Sequence, residues 1–219
     1  KVLGEFPTEV SGALWSLDTI NRCRVAADKV PDMQRIVVGV DPSGASEADD
    51  RGDQQGIVVC GIGVDGHGYV LDDQTVRLSP AGWGRRVVQA YDTHKADLVV
   101  AERNFGGEMV RFTIQAYRSS VPVKMVTATR GKVVRAEPIS AIYEQGMVHH
   151  VSAQDGTSQF DDLEDEMRLA SASGYKGTLS PNRLDAMVWA MTELMQGGEK
   201  IYVAREDGIL AKARKIPDH

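Results

Sequence analysis

The sequence predicts an α/β fold, a mixed sheet of five strands or slightly more that contains an antiparallel three-strand meander and is flanked by helices. Two observations lead there. Three β-branched runs separated by Gly, Asp and Ser clusters lie between residues 36 and 73, which is the pattern of short strands joined by tight turns. Two later apolar runs each follow a stretch of helical periodicity, and a crossover of that kind returns a strand parallel to the first in the same sheet.

The elements follow in order. Residues 1–34 carry Pro7, Trp15 and a helical stretch around Leu17, Ile20 and Val25 that ends before Pro31; they read as a connecting segment. IVVGV (36–40), GIVVCGIG (56–63) and YVLDD (69–73) are the first three strands, with VDGHG (64–68) as a hairpin connection. Ser79 and Pro80 start a helix with Val87, Val88 and Tyr91 on one face, and it leads into LVVAE (98–102), the fourth strand. A helix from about Gly107 to Arg118, the fifth strand VPVKMVTAT (121–129) and a helix from about Lys132 to Gln145 come next. VHHV (148–151) is too short to assign. SQFDDLEDEMRLA and PNRLDAMVWAMTELM read as two further helices, the second carrying Leu184, Met187, Val188, Met191 and Met195 as one apolar stripe. The expected organisation is a connecting segment over 1–34, one domain over 35–198 and a polar tail over 199–219.

With 219 residues, the chain has room for one domain plus appendages. No apolar run approaches the roughly 20 residues that cross a bilayer, and the first residues lack the basic-then-apolar order of a signal peptide. The chain opens without methionine and reads as a piece of a longer protein. Cys23 and Cys60 stand alone, without the spacing of a zinc site or a disulfide framework, and suit a reducing cytoplasm. A net charge of −6 excludes nucleic-acid affinity through overall basicity. There is no GxxxxGK[ST] loop, so the chain does not hydrolyse ATP in the P-loop manner.

Chemistry enters through three acids. Asp41 follows the first strand directly and Glu102 ends the fourth. Functional crevices of open α/β sheets lie outside the carboxyl ends of strands, so the two carboxylates converge if those strands are neighbours. Two such charges at one buried spot call for a cation, and hard oxygen donors suit Mg²⁺ or Mn²⁺. Asp185 lies one turn into the last helix, with Ser180 as cap and Pro181 in the first helical position, beside the apolar stripe and within reach of the crevice. Three carboxylates around two divalent ions roughly 3.5–4 Å apart is an arrangement for in-line phosphoryl displacement. Taken singly, Asp41 reads as a solvated turn residue and Asp185 as a favourable charge near a helix start, whereas Glu102, directly after four apolar residues and before RNFGG, is poorly explained as mere surface. Their combination in this order points to metal-assisted catalysis.

Other groups weigh less. Glu47, Asp49, Asp50 and Asp53 lack the spacing of a calcium loop and read as a solvated loop, with Asp50 or Asp53 as an accessory ligand at most. His149 and His150 are adjacent, so on a strand they point to opposite faces and cannot chelate together. Arg130 and Lys132, in TATRGK, follow the fifth strand and should open on the side of Asp41 and Glu102, where they suit sequence-independent phosphate contact. Arg103 and Asn104 have the same claim, and all four have the plain alternative of solvated loop residues.

GEFPTEVSGALW, GVDPSGA, DRGDQQGIVVCGIGVDGHGYVLDD, VVAERNFGG, TATRGK and SPNRLDAMVWAMTEL, in this order between about Gly4 and Leu194, resemble the carboxyl-terminal part of the phage terminase large subunit. The resemblance implies a ribonuclease H-like, virus-encoded endonuclease of the bacterial host cytoplasm that cuts concatemeric double-stranded DNA during genome packaging. It implies two divalent ions held by Asp41, Glu102 and Asp185, although Glu102 stands where other members carry Asp. It further implies an ATPase domain on the same full-length chain, with the portal protein and the small terminase subunit as partners in the motor, and no membrane. Two alternatives stand beside it: a non-catalytic docking or regulatory module of that motor, and an actin-like or sugar-kinase-like phosphotransferase, whose second domain 219 residues cannot accommodate.

Overall fold

β-Branched residues stiffen χ1 and fill a pleated surface well, and the three runs rich in them form the centre of a seven-stranded sheet. The computed structural model describes residues 10–42, 54–103, 107–129, 131–152 and 159–196. In chain order the strands of the main sheet are β1 (Arg24–Ala26), β2 (Met33–Asp41), β3 (Gly56–Gly63), β4 (Gly68–Asp73), β5 (Leu98–Glu102), β6 (Val123–Val126) and β7 (Val148–Ser152). They lie in the order β1-β7-β4-β3-β2-β5-β6. The pairs β2/β3 and β3/β4 are antiparallel, and β2/β5, β5/β6, β4/β7 and β1/β7 are parallel. It follows that β3 alone runs against the other six, and that β2, β4 and β5 all end at one edge of the sheet.

The helices are α1 (Leu17–Cys23), α2 (Pro80–Thr93), α3 (Glu108–Gln115), α4 (Lys132–Glu144), α5 (Asp161–Leu169) and α6 (Asn182–Met195). Alternation along the strands separates two cores. Val37, Val58, Cys60, Val70 and Val100 face the side of α1, α4, α5 and α6, whereas Val38, Val40, Ile57, Val59 and Val99 face the side of α2 and α3. Ser79 starts α2 as expected, its hydroxyl accepting from the Gly82 N–H. On the other face α6 lies against backbone: a Cβ on Gly39 would stand 2.0 Å from the Ala186 carbonyl oxygen, and one on Gly56 would stand 1.9 Å from that of Asn182.

The mixed sheet with its antiparallel meander is as expected, while particular elements differ. The sheet has two strands beyond the five runs. VHHV is β7, and β1 lies in the stretch read as one helix through Val25, which ends at Cys23. Residues ahead of Arg35 were expected only to connect, yet the described part of that segment packs. Trp15 and Ile20 are fully buried, and β1 extends the sheet by pairing with β7. An apolar helix beside an exposed sheet edge gains more by covering it than by remaining in water. Pro181, and not Ser180, precedes the first residue of α6, and it makes no side-chain cap. Residues 1–9 and 197–219, including the tail, lie outside the described residues.

Trp15 meets the Tyr143 ring edge-on at 5.9 Å. Trp15→Ala should therefore lower the free energy of unfolding by about 3–5 kcal/mol in urea titrations; a loss below about 1 kcal/mol would mean that the segment is only a tether.

Candidate functional site

Strand parity places the acids. Asp41 shares its face of β2 with Val37 and Gly39, and Glu102 shares its face of β5 with Val100, so both carboxylates lie on the side covered by α6. Because β2 and β5 are parallel neighbours paired through Val40 and Ala101, their carboxyl ends bring Asp41 and Glu102 to the same place. Asp185, in the first turns of α6, arrives over them. All three are buried, with 7%, 1% and 3% of their surface exposed. The structure thus assembles the three acids that sequence order suggested.

Burial of three carboxylates is met by two cations from α4. The Lys132 ammonium contacts Asp185 Oδ2 and donates to the Ser180 hydroxyl at 3.0 Å. Arg135 bridges two of the acids, its guanidinium standing 3.3 Å from Asp185 Oδ1 and 3.9 Å from Glu102 Oε1. Lys132 and Arg135 are three apart in one helix and so face the same way. Trp189 completes the enclosure: its indole N–H donates to Glu102 Oε2 at 3.2 Å, and Arg135 lies over its ring at 4.6 Å.

Residual charge strain falls on Asp41. Burial, then the negative charge of Asp185, push its carboxyl from the ordinary 3.8 up to about 7; Lys132 and Arg135 pull the other way and Glu102 adds to the rise. Asp185 Oδ2 is buried, with the Lys132 ammonium against it. Carboxylate oxygens of this kind are the donor set of a hard divalent ion. Among the described residues no group of three or more acidic, histidine or cysteine side chains stands close enough together to hold a metal ion as they lie. The donors fit a divalent ion in kind, and Lys132 and Arg135 stand against Asp185 and Glu102.

The other expected residues divide. Lys132 joins the site. Arg103 follows Glu102 immediately but is half-exposed and paired with Glu108 at 3.3 Å. Asn104, Arg130 and the acids at 47, 49, 50 and 53 lie outside the described residues. His149 and His150 point apart: His149 bonds His67 at 2.8 Å, while buried His150 bonds Glu164 at 2.9 Å and Tyr143 at 2.8 Å. Arg135 and Trp189 were not singled out from sequence. The available signal was spacing, since Arg135 follows Lys132 by one helical turn and Trp189 follows Asp185 by four residues.

Residues 38–194 match the family model of the terminase RNaseH-like domain. No curated protein sequence matches the chain significantly. Among solved structures, the large terminase nuclease from thermophilic phage G20c with bound magnesium is similar with a TM-score of 0.57 at 12% identity, over 84% of this chain and 98% of that one. The Mn-soaked, inhibitor-bound terminase nuclease domain of human cytomegalovirus gives 0.57 at 12% identity, over 83% and 95%. The HK97 bacteriophage large terminase gives 0.56 at 12% identity, covering 81% of this chain and 43% of that one. At these identities the structural matches establish the fold.

A raised carboxyl pKa makes the folded protein hold a proton that the unfolded chain releases, so the contribution of Asp41 to stability falls as pH rises from about 4 to about 7. A shift of that size corresponds to about 4 kcal/mol against the ionised form. In EDTA near pH 8, Asp41→Asn should melt above the unsubstituted protein, and the difference should close as pH falls below about 4. Equal melting temperatures across that range would contradict the buried-charge assignment.

Proposed function

We propose, because the chain belongs to the terminase RNaseH-like domain family, that it is a metal-dependent endonuclease cutting concatemeric double-stranded viral DNA during genome packaging. The observation that carries this reading is the convergence of buried Asp41, Glu102 and Asp185 at one sheet edge, with two basic side chains from α4 among them. The magnesium-bound and manganese-soaked relatives support a divalent ion as cofactor. In this reading Asp41, Glu102 and Asp185 hold two ions, Mg²⁺ or Mn²⁺. When bound, such ions activate water and stabilise the leaving oxygen of the phosphodiester.

The chain's own groups have distinct parts. Trp189 fixes one Glu102 oxygen, which orients the carboxylate. Arg135 and Lys132 would offset charge on the DNA phosphate, Lys132 from the exposed side. In this reading Arg103, Asn104 and Arg130 would contact backbone phosphates without reading bases. With a net charge of −6, the isolated domain should hold DNA weakly. An ATPase domain of the full-length chain, the portal protein and the small terminase subunit would supply the remaining context in the host cytoplasm. Among the described residues no helix is long and apolar enough to cross a membrane.

One observation favours a second reading, the non-catalytic docking module: Asp185 and Glu102 have cationic partners on α4. Supercoiled plasmid incubated with EDTA, Mg²⁺ or Mn²⁺ separates the two. The nuclease reading expects nicked and linear products with metal alone, none from Asp41→Ala, and a rate about 100-fold lower from Lys132→Ala. Cutting or packaging that survives replacement of all three acids would leave the docking module standing.

A further inference from the structure

We infer that Arg183 is a positioning residue for this centre: it locks the first turn of α6 so that the Asp185 carboxylate is held where Asp41 and Glu102 need it. The inference rests on the metal-dependent reading of the site above.

The first turn of α6 has an unusual attachment. Its own residues supply no side-chain cap, which would leave helix-start N–H groups without partners. Glu166 of α5 supplies one from outside, accepting the Leu184 N–H at 2.9 Å. Asn182 ties the same turn to the segment before β3, donating to the Gln54 carbonyl at 2.7 Å. Arg183 then spans three elements with one planar group. Its Nε donates to Asp73 Oδ2 at the end of β4 at 2.9 Å, and its terminal nitrogens reach Asp162 at 2.9 Å and Glu166 at 3.6 Å on α5. It also donates to the Gln54 side chain. The Arg183 side chain is 12% exposed.

A largely buried charge cluster, open to solvent at Asp162, stabilises a fold poorly compared with apolar packing of similar volume. Its distinct contribution is directional. A rigid fork of donors fixes the turn against β4, α5 and the start of β3 together. Asp185 stands two residues further on, and Gln54 stands two residues before Gly56, which pairs with Asp41. The same contacts therefore set one acid relative to another. Groups that orient ligands from behind typically change metal affinity when removed.

The test compares Arg183→Ala, Arg183→Lys and Asp73→Asn with Arg24→Ala, which removes a guanidinium from Glu164 on the same α5. Three quantities are read: amide exchange of Leu184 and Asp185 without metal, Mn²⁺ binding by calorimetry, and plasmid cutting resolved into kcat, KM for DNA and half-saturating Mn²⁺. Arg183→Ala should speed exchange in that turn, raise the Mn²⁺ dissociation constant and half-saturation about 10- to 100-fold and leave KM for DNA unchanged. Asp73→Asn should move the same quantities less. Arg24→Ala should lower the melting temperature without altering the Mn²⁺ requirement. Should Arg183→Ala not fold, Arg183→Lys keeps the charge but cannot span the partners, and is read against the same expectations. Unchanged Mn²⁺ affinity in the Arg183 variants, or an equal shift in Arg24→Ala, would overturn the inference. Unsubstituted protein that neither binds Mn²⁺ nor cuts would sink the nuclease reading instead, while the metal-free exchange rates still decide whether Arg183 locks the turn.

Discussion

Direct seating of α6 on the backbone of β2 and β3 is the constraint from which the site follows. Side chains normally hold helix and sheet well apart, and here two glycines remove them. Gly39 admits the Ala186 carbonyl and Gly56 that of Asn182, so the helix start presses on the strand that ends in Asp41. The far end of α6 is gripped as well, Glu193 accepting from Arg35 at 2.8 Å and from Lys124 at 2.7 Å. A helix fixed at both ends and close along its length cannot rotate or slide without breaking packed contacts. The relation of Asp185 to Asp41 and Glu102 is set by that packing, whereas α4, which brings the cations, touches the sheet more lightly.

Charge at the site is a compromise between folding and chemistry. Three carboxylates withdrawn from water would be untenable alone, and the structure answers with Lys132 and Arg135 and not with apolar replacements. Asp41 bears what remains, its protonation drawn toward neutrality by burial and by Asp185. Such a cluster is stable enough to fold and still short of positive charge. Proteins commonly carry stored cost of this sort where they act, and support it with the surrounding scaffold.

Much of this was legible in the sequence, for physical reasons. Residues 36–40 and 98–102 are apolar runs long enough to mark strands, and an acid at the end of each marks a crevice if the strands are neighbours. The helix between them made parallel pairing the natural expectation, and β5 does lie beside β2. The stripe from Leu184 to Met195 likewise announced α6. What escaped was of two kinds. β1 has three residues and β7 five, too few for periodicity to separate strand from helix; only their pairing with each other and with β4 defines them. Arg135 and Arg183 were not singled out because their partners lie 17 to 129 residues away along the chain. Long-range convergence leaves no local pattern, so neither the bridge between Glu102 and Asp185 nor the clamp on α6 was visible before the fold.

The outermost strands of the sheet bear on a different matter, the behaviour of the protein at high concentration. A sheet edge offers unpaired N–H and C=O groups to any strand that passes, and long flat edges invite aggregation. Here one edge is β1, three residues long, and the other is β6, four residues long and preceded by Pro122, which has no N–H to offer. Each edge gives an intruding strand only a short row of hydrogen bonds, too few to repay the ordering of a partner chain. A sheet seven strands wide and rich in valine thus closes itself off at both sides, and many copies can be crowded together without joining into a continuous ribbon.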